Sequence, residues 1–65
     1  MTTNYYLGRF GEEHFLFEDK TANATPFKGD IIYFDNEFYK VMYRIIDYDT
    51  NDIDVFVREV IEEDF

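Results

Sequence analysis

The chain has no cysteine, no tryptophan and no serine, and only one histidine, one proline and three glycines in 65 residues. Each absence removes a class of explanation. Without cysteine there is neither a disulfide framework nor a thiolate for zinc. His14 is the only histidine, which excludes histidine-pair chemistry within one chain; the lack of cysteine excludes Cys–His chemistry, and the lack of serine excludes a Ser-His-Asp triad. His14 therefore reads as a surface or structural residue beside a turn, and the protein as a non-enzyme. No apolar run approaches the ~18 residues that cross a bilayer. The opening MTTNYYLGRFGEE has neither the basic nor the apolar region of a secretory signal, so the expected location is the cytoplasm.

Basic residues are also scarce, six Lys and Arg against fifteen Asp and Glu, for a net charge of −9. This balance opposes direct binding to a nucleic-acid backbone or an anionic membrane and points to a protein partner with a basic surface. No motif calls for a cofactor. Asp47-Tyr48-Asp49-Thr50-Asn51-Asp52 has the acidic spacing of a calcium loop, but it lacks the sixth-position glycine and places Arg58 where the bidentate glutamate stands, so no metal site is read there. Asn23-Ala24-Thr25 matches the glycosylation triplet, an accidental match without a secretory route.

What is abundant is aromatic: eight Phe and six Tyr. A chain this short forms one domain, residues 1–65, and buries only roughly 60% of the surface its unfolded form exposes. Aromatic side chains, each able to bury roughly 150–250 Å², supply the core that disulfides do not.

Alternation of apolar with polar residues, carried by β-branched and aromatic types, predicts an all-β fold, with a short helical turn only at the C-terminal VIEEDF. NYYLGRF and HFLFED form a first hairpin around Gly11-Glu12-Glu13, and KTANATPFKG reads as a long loop. From GDIIYF onward the chain is a meander. Between Tyr39 and Ile45 the odd positions Tyr39, Val41, Tyr43 and Ile45 are all apolar or aromatic, so the odd face is the core face. A two-residue turn at Asp35-Asn36 pairs Phe34 with Glu37 and Ile32 with Tyr39. A three-residue loop, Asp49-Thr50-Asn51 with Asn51 left-handed, pairs Ile45 with Val55 and brings Ile53, Val55 and Val57 onto the same side. The expected architecture is a small five-stranded antiparallel curled sheet or barrel.

Two clusters of carboxylates are candidate partner-binding residues: Asp47, Asp49, Asp52 and Asp54 around one hairpin, and Glu59, Glu62, Glu63 and Asp64 at the C-terminal end. Residues two apart on a strand lie ~7 Å apart, comparable to successive phosphates, so such a surface could occupy the basic groove of a nucleic-acid-handling protein. The alternative contact surface is the even face of the meander, with Phe38, Met42, Arg44, Phe56 and Arg58, or an exposed sheet edge. Crowding of like charges predicts raised carboxyl pKa values in both acidic clusters, and a protein more stable at mildly acidic than at neutral pH.

The segment FKGDIIYFDNEFYKVMYRI resembles the strand and following hairpin of SH3-like small barrels, which implies that architecture over roughly residues 27 to 60 and carries over no functional residue. In composition the chain is similar in kind to small acidic phage and mobile-element anti-defence proteins, including anti-CRISPR and anti-restriction nucleic-acid mimics. That resemblance implies an inhibitor; the expected state is a monomer or homodimer. The rival implication is a structural or adaptor module.

Overall fold

The computed structural model describes residues 1–21 and 25–65, so the Asn23-Ala24 part of the glycosylation triplet and part of the long loop lie outside the described residues. Five strands follow in chain order: β1 Thr2–Leu7, β2 His14–Asp19, β3 Ile31–Phe34, β4 Glu37–Asp47 and β5 Asp52–Glu59. A 3-10 turn, Glu62–Asp64, supplies the expected C-terminal helical turn.

The strands form one sheet in the order β2-β1-β5-β4-β3. The sheet curls into a half-barrel, because Phe17 on one edge strand stacks on Phe34 of the other with ring centroids 4.0 Å apart. Phe17 also stacks on Tyr5 at 4.3 Å. Beneath these rings the concave face holds the core: Tyr5, Tyr39, Val41, Ile53, Val55 and Val57 are buried, with Leu7, Leu16, Ile32 and Phe34 packed against them.

Three of the four strand pairings are antiparallel, as expected, but β1 and β5 run parallel, with Tyr5 opposite Val55 and Leu7 opposite Val57. The parallel pairing has a simple origin. Alternation assigns residues to faces, but a period of two has no direction, so it cannot say which way the first hairpin docks on the last strand.

The Asp35-Asn36 turn is as expected: both residues have positive φ, 51° and 66°, and Phe34 pairs with Glu37 and Ile32 with Tyr39. The next hairpin differs. Its loop has four residues, Tyr48 to Asn51, because Asp47 pairs with Asp52. Asp47 Oδ1 accepts from the N–H groups of Asp49 and Thr50, and Asn51 takes the expected left-handed conformation at φ 62°.

An even-length loop alone would turn Val55 and Val57 away from Val41. A bulge at Met42 restores the match: Val41 pairs with Val57, while Tyr43 pairs with Phe56 and Arg44 with Val55. Beyond the bulge the faces exchange. Tyr43 and Ile45 leave the core side, contrary to the parity reading, and Ile45 pairs with Asp54 instead of Val55.

Tyr43 joins a second apolar cluster on the convex face, centred on Phe56, which is 1% exposed. The rings of Tyr43, Tyr6 and Phe10 stand 5.0, 5.4 and 6.1 Å from it. Phe10 reaches this position because β1 ends at Leu7, three residues short of the hairpin arm expected from NYYLGRF. Gly8, at φ +107°, breaks the strand, and a Cβ there would lie 3.1 Å from the Glu12 carbonyl oxygen. The loop then crosses the convex face, and the Phe10 N–H donates to Tyr43 Oη at 2.7 Å.

Candidate functional site

β5 runs the length of the convex face, and its outward residues change character along the way: Asp52, Asp54, Phe56, Arg58. At one end Asp52 faces Asp47 across the β4–β5 ladder, and Asp54 follows on the same face. Asn4 Nδ2 donates to Asp54 Oδ1 at 3.2 Å. Among the described residues no Lys or Arg pairs with Asp47, Asp49, Asp52 or Asp54; the ion-paired carboxylates are Glu18 and Asp64. The local field is felt by Tyr6, whose phenol is pushed up first by burial and then by Asp54, Glu13 and Asp52.

The other end is built differently. Arg58 lies opposite Lys40 across the ladder, and Asp64 closes over both. Arg58 donates through Nη1 and Nη2 to the two Asp64 oxygens at 2.8 and 2.9 Å, and Lys40 Nζ lies 3.3 Å from Oδ1. The Ile61 N–H donates to Asp64 Oδ2 at 2.7 Å, fixing the 3-10 turn. Asp64 is thus a clamp, with a side chain only 7% exposed. The expected rise in its pKa is reversed. The Arg58 guanidinium, then the Ile61 N–H, then Lys40 hold its carboxyl well below the usual carboxylate range, and Arg58 is raised in turn by Asp64. Glu59, Glu62 and Glu63 stay exposed around the clamp.

The two acidic clusters are therefore not one surface. About five β residues, ~17 Å, separate Asp54 from Glu59, and the cations of the clamp lie between.

The alternative face divides as well. Phe38 is exposed, its ring 4.7 Å from that of Tyr33 and 5.4 Å from that of Phe65. Phe56 is enclosed by its aromatic cluster and presents no contact surface. Arg44, carried past the bulge to the side of Val55, stacks its guanidinium on the Phe27 ring at 4.4 Å.

Met42 and Arg58 line an open cleft of about 590 Å³ together with Arg9, Lys28, Lys40 and Tyr43. Four of the six basic residues meet there. Arg9 and Lys28 were not among the candidates drawn from the sequence. Both sit in loops beside a positive-φ glycine, Gly8-Arg9 and Lys28-Gly29, and a cation next to a turn glycine is the only signal the chain offers for them. Backbone bonds hold the loops in place: Gly8 N–H to the Val57 carbonyl, and Gly29 N–H to the Val41 carbonyl, both 2.9 Å.

Compared with family models, curated proteins and solved structures, the chain gives no match.

Proposed function

We propose that the protein is a non-enzymatic binding protein that engages the basic surface of a nucleic-acid-handling protein through the Asp47–Asp54 hairpin, and so inhibits or modulates it. The supporting observation is the convergence of Asp47, Asp52 and Asp54 on one face with no cation paired to them among the described residues. Uncompensated like charges across a ladder cost stability, and a basic partner would relieve that cost. On this reading the protein acts in the cytoplasm, in the manner of phage-encoded anti-defence proteins, and the carboxylates stand in for phosphates. The SH3-like small barrel is its inferred architectural kin, supported by the β3–β5 meander and the closing contact of Phe17 on Phe34.

The C-terminal acids contribute less on this reading, because Asp64 is satisfied within the chain. An adaptor surface made of Phe38, Met42 and Phe56 loses its central residue to the convex cluster.

The test is affinity capture from a cell lysate with two baits, the native protein and a variant carrying Asn at 47, 49, 52 and 54. The amides keep the acceptors that Asp47 gives the turn and Asp54 gives Asn4. The native bait should retain a nucleic-acid-binding protein that salt elutes, and the amide bait should not. Equal retention by both, insensitive to salt, overturns the proposal.

A further inference from the structure

In a chain of net charge −9, the cations are too few to be spread evenly, and four of the six line a single cleft. Two of these, Lys40 and Arg58, are occupied by Asp64. The other two, Arg9 and Lys28, have no ion-pair partner among the described residues, although fifteen carboxylates are present in the chain. Both are carried on loops whose backbones are bonded to β4 and β5, and these loops bring the two residues to one cleft. Met42, at the bulge, and Tyr43 line the same cleft, and the Tyr43 hydroxyl accepts from the Phe10 N–H.

We propose that this cleft is a binding site for a small phosphorylated molecule, and that Asp64 is its internal competitor. The volume, about 590 Å³, falls in the range of small-molecule sites. A single carboxylate is already supplied by Asp64 and engages only two of the four cations. The unpaired pair therefore suits a further group with two negative charges, and the guanidinium fork of Arg9 matches phosphate oxygens two at a time. A nucleic-acid strand is disfavoured, since the acidic remainder of the surface repels an extended polyanion while a compact one sees chiefly the cleft. The site lies at the clamp end of the convex face and stands or falls independently of the Asp47–Asp54 hairpin.

Pyrophosphate is the probe, titrated into the full chain at low ionic strength and followed by amide chemical shifts and calorimetry, with acetate for comparison. Saturable binding of pyrophosphate is expected, with the shifts concentrated at Arg9, Lys28, Gly29 and Met42, and none from acetate. The double variant Arg9→Gln, Lys28→Gln should bind about tenfold more weakly or worse. Lys20→Gln, which removes a charge outside the cleft, should bind as the native chain does. Asp64→Asn should tighten binding by releasing Lys40 and Arg58. Should that variant lose its fold by circular dichroism, the Arg9/Lys28 variant still decides, because those side chains have no ion pair to lose among the described residues. Absence of saturable binding, equal binding of acetate, or equal weakening by Lys20→Gln overturns the proposal.

Discussion

The two ends of β5 present the same kind of residue under opposite conditions. Around Asp52 and Asp54 the fold gathers carboxylates that have no cation partner among the described residues; around Arg58 it brings one carboxylate, Asp64, against two cations and a backbone N–H. What differs is the neighbour across the ladder: Asp47 in one case, Lys40 in the other. An aspartate is thus a structural clamp or an exposed unpaired charge according to strand register, and a count of acidic residues does not separate the two. Between the ends, Phe56 and its aromatic ring of neighbours hold the convex face together.

Both ends depend most on that midpoint. Phe56→Ala should cost ~3–5 kcal/mol, a large share of the stability of a domain this small, and both ends should be lost in one transition in urea. Phe38→Ala, at a residue 44% exposed, should cost well under half of that. Comparable losses from the two variants would mean that Phe56 is not the shared support of the two ends.

A smaller effect is expected at the clamp. Asp64→Asn should lower the melting temperature more than Glu62→Gln or Glu63→Gln, since those neighbours are exposed and make no ion pair among the described residues. The pH dependence follows from the sign of the shift. A carboxyl lowered in the folded state binds fewer protons there than in the unfolded chain, so its stabilisation is complete above the unfolded pKa of ~4 and fades as pH falls through the folded one. Melting of the native protein should therefore decline more steeply on acidification below pH ~4 than that of Asp64→Asn. This clamp acts opposite to the expectation of greater stability in mild acid. Parallel curves for the two proteins would remove Asp64 from any role in acid stability.

The parts legible in the sequence are those set by local chemistry. Asp35, Asn36 and Asn51 tolerate positive φ, and each marks a turn where the structure has one. The assignment of Val41, Val55 and Val57 to the core needs only alternation and a consistent face. The Met42 bulge was hidden because a three-residue loop without a bulge satisfies the same parity as a four-residue loop with one. It takes Tyr43 and Ile45 off the core face and Arg44 off the convex one. The cation cleft was hidden for another reason. Arg9, Lys28, Lys40 and Arg58 come from two loops and two strands, and only the docking of both loops on β4 and β5 places them together.

The smallest effect sharpens the acidic end. Asp47 and Asp52 are directly opposite in an antiparallel ladder, a position where like charges repel by roughly 0.2–1 kcal/mol. Asp47 cannot be changed cleanly, because its Oδ1 holds the turn through the N–H groups of Asp49 and Thr50. Asp52 has no such bond among the described residues, so Asp52→Asn removes the repulsion and little else. The variant should be more stable than the native protein by a few tenths of a kcal/mol up to ~1. Added salt should shrink that gain, because it screens the Asp47–Asp52 repulsion in the native chain and has no such pair to act on in the variant. A variant no more stable than the native protein at low salt would show that the two carboxylates lean apart into solvent. The cost that a basic partner is proposed to relieve would then be absent, and the hairpin would be a solubilising surface.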